Sequence, residues 1–381
     1  MTAIASGRDY AARADAGRAP ARKDGGPEHR VVRRVWAQAI LVLILLAGPW
    51  AVPRAGAYVT ILLYHRFDED RYPTTTTSSS QFESHLAYLK EHGYRVISLE
   101  ELQRCVEGTA PLPEKAVVIT IDDGFASEYE RAVPVLRKYG FPFTMFVFTN
   151  AIGAKGYVTW HQLRTLPSLG GTVGCHTVSH PRLINLPDEA VHREITQSKA
   201  VLEVELKRPV SFFAYPFGQY DERVRRIARR SGFSLMLTSD PGSVGKCVER
   251  DLVPRQAVVG AEMTLADFAR KLLNPPLAVD AREPAPGTLS SREIGRIRVR
   301  IKDAFQYDPH QVNVFLSETG RIQGRLDPAT GVIECPGPFR LTRKTNRIIV
   351  SARRHSDGLF AMHAYLVVLP GIWPDMHYTC R

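Results

Sequence analysis

The chain has 381 residues, with 50 Lys and Arg against 39 Asp and Glu for a formal charge of +11. Hydrophobic content of 44% and charged content of 23% lie near globular averages, which argues against wholesale disorder and against a polytopic membrane protein. The length suits two folded units behind an N-terminal segment, and the basic excess comes with no nucleic-acid-binding fingerprint.

Residues 1–34, rich in Ala, Gly, Arg and Asp and without an apolar period, read as a disordered basic tail. Residues 35–57 follow. Here "RVVRR", "VWAQAILVLILLAGPWAV" and "PRAGA" run in the order basic, apolar, small. That is the order of a secretory signal cleaved after Ala57, or of an uncleaved inner-membrane anchor at the lower limit of spanning length. Either reading places the rest of the chain outside the cytoplasm, in the periplasm or at the cell envelope.

From residue 58 to 274 apolar strands alternate with amphipathic helices. "YVTILLY" reads as a strand, "RYPTTTTSSS" as a polar loop, and "QFESHLAYLKEHGY" as a helix with Phe82, Leu86 and Leu89 on one face. "RVISLEELQRCV" is strand then helix, and "KAVVITIDDG" is a buried strand. "SEYERAVPVLRKYG" is a helix closed by Gly140, and "FPFTMFVFT" is another buried strand. "GGTVGCHTVSH", "VSFFAYPFG" and "GFSLMLTSD" continue the rhythm, with "DEAVHREITQSKAVLEVEL" as a helix among them. The pattern predicts an α/β fold with a parallel sheet or distorted barrel. Residues 275–290, with clustered prolines, read as a linker. Residues 291–381 carry short alternating strands, from "GRIRVRIKD" to "MHAYLVVLP", and predict a β-sandwich-like domain. The five cysteines (Cys105, Cys175, Cys247, Cys335, Cys380) have no zinc-ribbon spacing, and Cys335 with Cys380 is a candidate disulfide pair.

Two stretches carry chemistry. "TIDDG" puts Asp122 and Asp123 at the end of a buried strand, where parallel sheets hold their sites. Neighbouring residues on a strand point apart, so one carboxylate can grip a cation while the other faces water; an ordinary Asp-Gly turn is the alternative reading. "HTVSH" spaces His176 and His180 so that both can bind one ion. With one carboxylate they make a two-histidine, one-carboxylate site with open positions, suited to zinc, iron, cobalt or nickel. A metal there would make water acidic enough to ionise near neutral pH.

"TIDDG", "HTVSHPRL" and "FAYPFG", in that order, resemble the motifs of the carbohydrate esterase family 4 polysaccharide deacetylases, the NodB-homology fold. "ILLYHRF", "QFESHLAYLKEHGYRVISLEEL", "YVTWHQLRTL" and "SFFAYPFGQYDERV" resemble the branch that removes acetyl groups from poly-β-1,6-N-acetylglucosamine. The resemblance covers roughly residues 58–260 and implies a distorted (β/α) barrel. It implies Asp123, His176 and His180 as ligands of one divalent metal ion, Asp122 as general base, and the backbone N–H of Phe217 as oxyanion donor. In this branch the domain is circularly permuted, which makes His65 on the first strand the candidate general acid. Ala214 stands where much of the superfamily has an arginine, and Arg255 is the candidate substitute; Cys175 reads as a packing residue. Trp160 and Tyr215 are candidates for stacking on sugar rings, with core packing as the alternative. The expected activity is N-deacetylation of a β-linked N-acetylglucosamine polysaccharide in an exopolysaccharide or biofilm matrix, in contact with exopolysaccharide secretion machinery. Peptidoglycan or chitin oligosaccharides, or glycan binding without turnover, are the alternatives.

Overall fold

The computed structural model describes residues 56–371. The tail, the signal-like segment as far as residue 55, and Cys380 lie outside the described residues. Strands β1 (Val59–Tyr64), β2 (Ala116–Asp123), β3 (Phe143–Val147), β4 (Gly171–Cys175), β5 (Phe212–Ala214) and β6 (Leu235–Leu237) pair in that order as parallel neighbours. Strand β7 (Gln256–Ala257) pairs with the other side of β1, and Arg95–Val96 adds to β2. The sheet is a curled, parallel half-barrel wrapped by helices, as the alternating pattern predicts.

Parity along β2 explains both layers. Val117, Ile119 and Ile121 face the helices, where they pack with Leu62, Tyr64, Met145 and the buried faces of α1 (Ser79–Glu91) and α2 (Asp188–Leu206). Val118 faces the concave side with Ile61, Phe146, Ala214, Leu237 and Val253. Each fully buried Val, Leu, Ile or Phe stabilises by roughly 1.5–3 kcal/mol, so a strand apolar on both faces is driven to the centre of the sheet. Ser78 caps α1 by accepting the Gln81 N–H, and its Phe82, Leu86 and Leu89 are buried as the spacing predicts.

The segment from Arg250 to Ala257 fills the gap between the first and last strands. Met236 N–H bonds to Arg250 C=O, Val253 N–H to Met236 C=O, and Thr238 N–H to Val253 C=O at 2.8, 3.0 and 2.9 Å. Three residues later the same segment pairs Gln256 with Leu62. Arg255 lies on this seam, fully buried.

The C-terminal part is all-β apart from one 3₁₀ turn at Ala304–Gln306. Val279–Glu283, Glu293–Ile301, Val332–Arg340 and Arg325–Asp327 form one sheet. Gly287–Thr288, Phe360–Val368, Thr345–Arg354, Tyr307–Leu316 and Gly320–Ile322 form the other, and both contribute to one apolar core. Residues 275–290, read from the sequence as a linker, instead supply an edge strand to each sheet. Proline is tolerated at a sheet edge, where one side of the ladder needs no donor, so the prolines there mark edges and not an unstructured connection. Val332–Arg340 escaped the sequence reading for the same reason, with Pro336, Gly337 and Pro338 in its middle. Leu366 and Val368 leave the all-β core and join the helix-side core of the half-barrel.

Candidate metal centre and active site

Three strand ends bring the site together. β2 closes with Asp122 and Asp123, β4 runs into His176, and β5 runs into Tyr215 and the bend at Pro216–Gly218. Asp122 follows the concave-side parity of Val118 and Thr120, whereas Asp123, which parity alone would turn toward the helices with Ile121, has a φ of 92° and is followed by Gly124 at 73°. Thr177, His180 and Phe217 also have positive φ, at 74°, 57° and 59°. Such backbone is costly for residues with a Cβ and persists where the surroundings over-determine it.

Here the helix behind the loop supplies the constraint. Glu194 on α2 accepts from the Val178 and Ser179 N–H groups, both at 2.9 Å, and from Ser179 Oγ at 2.7 Å. One turn later Ser198 Oγ donates to the Thr177 carbonyl at 2.8 Å, while Cys175 Sγ lies 3.3 Å from Ser198 Oγ. Ser198 falls in the buried stripe Val191, Ile195, Leu202, and a serine in an apolar stripe is the sequence signal that could have exposed this clamp. Glu128, fully buried, accepts the Phe125 N–H at 2.9 Å and shapes the turn after Asp123.

His176 Nδ1 lies 2.7 Å from the Ala214 carbonyl. A carbonyl only accepts, so Nδ1 carries the proton and the lone pair is at Nε2. His176 Nε2 and His180 Nε2 are 3.1 Å apart, and Asp123 Oδ1 lies 3.6 and 3.3 Å from them. Ligands at about 2.0–2.1 Å around a tetrahedral cation lie about 3.3 Å from one another, so this donor set fits one ion. Burial is the main cause that lowers both imidazoles to about 4, so both are neutral and able to ligate near neutral pH.

Asp122 is held differently. Arg255 Nη1 and Nη2 donate to its two oxygens at 2.8 and 2.7 Å, Nη1 also reaches Thr120 Oγ1 at 3.2 Å, and Nε donates to the Thr238 carbonyl at 2.8 Å. Burial alone would raise the Asp122 carboxyl; the Arg255 guanidinium, with His176 and His65, outweighs it and holds the group below its ordinary value. Arg255, the candidate substitute for the arginine that Ala214 replaces, thus contacts Asp122 directly.

His65 follows Tyr64, which pairs with Ile121, and so stands just past the end of the strand beside the one that carries Asp122. It is close enough to act electrostatically on both Asp122 and His180. Its Nδ1 is buried without a hydrogen-bond partner among the described residues. Phe217 is 44% exposed; its ring lies 4.6 Å from that of His180 and carries the Arg182 guanidinium 4.1 Å from its centre. Tyr215 is corrected: it is fully buried, its hydroxyl donating to the Asp251 carbonyl at 3.1 Å, and it cannot stack on a sugar. The parity of β5 carries Tyr215 into the core with Phe213, and the bend at Pro216–Gly218, with Phe217 at a φ of 59°, turns the Phe217 ring out. Trp160 is half-buried against the helix-side core. A cavity of about 730 Å³ lies where the half-barrel meets the all-β region, and none of Asp122, Asp123, His176 or His180 lines it.

Residues 109–236 match the family model for polysaccharide deacetylase. The poly-beta-1,6-N-acetyl-D-glucosamine N-deacetylase of Escherichia coli K12 is 25% identical over 276 residues, covering 60% of this chain and 40% of that protein. The Streptococcus pyogenes deacetylase PplD, solved with acetate, superposes with a TM-score of 0.54 at 25% identity over 57% of this chain and 99% of its own. IcaB from Ammonifex degensii gives a TM-score of 0.50 at 28% identity over 57% of this chain and 96% of its own. The half-barrel, through residues 109–236, therefore matches the polysaccharide deacetylase domain of carbohydrate esterase family 4, the NodB-homology fold, and relatives that share it are enzymes that remove acetyl groups.

Proposed function

We propose that this protein is an exported, metal-dependent N-deacetylase of a β-linked N-acetylglucosamine polysaccharide, with poly-β-1,6-N-acetylglucosamine as its substrate. One observation carries the reading. A carboxylate clamped by an arginine, Asp122 with Arg255, stands beside a separate three-donor cluster of Asp123, His176 and His180. Two neighbouring carboxylates thereby have two environments, which is how sites assign different roles to like groups. The Escherichia coli relative supports the substrate, and the basic-then-apolar order of residues 31–57 supports export.

In this reading Asp123, His176 and His180 hold one divalent cation, zinc first among zinc, cobalt, nickel and iron. When bound, the ion supplies Lewis acidity toward water and toward the amide carbonyl. Asp122, ionised at neutral pH, accepts the proton of the attacking water, and Arg255 keeps its oxygens in one orientation. The Phe217 N–H, presented by a left-handed bend beside His180, donates to the oxygen that gains charge as the carbonyl carbon becomes tetrahedral. His65 gives a proton to the amine as the C–N bond breaks. Acetate and a glucosamine unit are the products.

The test is acetate release by the purified protein from poly-β-1,6-N-acetylglucosamine, chitin oligomers and peptidoglycan. Release from the β-1,6 polymer well above the other two is expected. Equal or greater release from chitin oligomers or peptidoglycan would overturn the substrate assignment, and tight binding without release would leave a glycan-binding protein.

A further inference from the structure

The all-β region reaches the catalytic carboxylate through a short chain of buried contacts. Arg255 receives its geometry from two carbonyls of one turn: its Nε donates to Thr238 C=O at 2.8 Å and its backbone N–H to Asp240 C=O at 3.0 Å. Asp240 is 2% exposed, and its side chain accepts from two sides, from Tyr220 Oη at 2.7 Å on Oδ2 and from Arg347 Nε at 2.7 Å on Oδ1. Arg347 belongs to the strand Thr345–Arg354 of the all-β region. Its register partner on the next strand is Leu366, whose N–H donates to the Tyr220 oxygen at 3.1 Å. Two adjacent strands of the all-β region therefore grip the same Tyr220–Asp240 pair. Asp240 of that pair sits on the turn which holds Arg255, and Arg255 holds Asp122.

A buried carboxylate is tolerated only when its acceptor sites are filled. Without Arg347, Asp240 keeps a single neutral donor on its side chain, and the 238–240 turn is free to relax toward water. Arg255 would then lose the fixed carbonyls that aim its fork at Asp122. Bidentate guanidinium–carboxylate geometry is sensitive to such displacement, and outer partners of this kind typically change activity by about ten- to a hundred-fold.

We propose that Arg347 and Asp240 are positioning residues for the deacetylation reaction, acting through Arg255, and that the all-β region is a working part of the active site. This rests on the reading of Asp122 as the base. The test measures kcat and KM for acetate release, together with melting temperature, for the full chain and for Arg347→Met, which keeps the apolar stem and removes the cation. Arg347→Lys is the rescue, and Arg296→Ala, which removes an exposed ion pair with Glu283 elsewhere in the all-β region, is the control. Expected are a roughly ten-fold lower kcat for Arg347→Met with KM within about two-fold, recovery by Arg347→Lys to within about three-fold, and no effect of Arg296→Ala. In an Arg255→Lys background Arg347→Met should change kcat by less than about two-fold, because the path is already broken. Should Arg347→Met fail to fold, Asp240→Asn, which retains an acceptor for Tyr220, is expected to lower kcat in the same way. The proposal falls if Arg347→Met matches Arg296→Ala, if only KM moves, or if its effect persists undiminished beside Arg255→Lys. Asp122→Asn at wild-type turnover would overturn the base reading and this proposal together. A severely impaired Asp122→Asn beside an unaffected Arg347→Met would overturn the proposal alone.

Discussion

Asp122 and Asp123 are neighbours in the chain and take different partners because the strand ends at Asp123. Strand parity carries Asp122 to the concave side and to Arg255, and the left-handed backbone at Asp123 swings the next carboxylate to the histidines. The motif spacing made the cluster readable in advance, since each of its residues closes or follows an apolar strand. Tyr215 and Phe217 were not separable in that way. Which of two aromatics two residues apart is buried depends on where β5 stops and the bend begins, and Pro216 alone does not say. For His65, replacement by alanine is expected to lower kcat by about a hundred- to ten-thousand-fold if it supplies the leaving-group proton. Steady-state kinetics on the amide substrate, with metal content matched to wild type, checks this; a loss of only a few-fold would remove His65 from the mechanism.

At the scale of elements, local signals read well wherever apolar periodicity was uninterrupted, as in α1, α2 and β2. They failed where prolines lie within a strand, as in Val332–Arg340, or flank one, as at the edge strands of residues 275–290, because proline forbids a central ladder position but not an edge or an irregular one. The turn contacts of the all-β region were invisible for another reason: their partners are distant in sequence. Glu318 shows it, accepting from Thr342 N–H at 2.9 Å, Thr342 Oγ1 at 2.7 Å and Asn346 Nδ2 at 2.9 Å, and from the Arg343 N–H at 2.5 Å. Burial pushes its carboxyl up, but these donors prevail and hold it at about 2. The folded value thus lies below the unfolded value of about 4.3, so the stability it contributes is complete above that pH and is lost as the pH falls toward about 2. Urea unfolding of Glu318→Gln should show the variant less stable than wild type at pH 7, with the gap narrowing below pH of about 4. A gap that stays constant with pH would contradict the assignment.

At the scale of the whole molecule, the half-barrel and the all-β region share a core through Leu366 and Val368 and share an ionic seam through Asp240 with Arg347 and Glu249 with Arg225 and Arg282. Composition and spacing had suggested two units joined by a linker; these long-range contacts, between residues more than 100 apart in the case of Asp240 and Arg347, have no signature in local sequence. The seam segment Arg250–Ala257 has the same character, since it pairs with the strands β1 and β6 at the two sides of the sheet's gap. All of this architecture converges on one cluster of three donors, and the measurement that tests it most directly is metal add-back. Protein stripped by a chelator and titrated with zinc should recover acetate release in proportion to metal bound, reaching its full value at one ion per chain, while His176→Ala should bind no ion in the same range. Acetate release by the stripped protein at the rate of the loaded one would contradict the account.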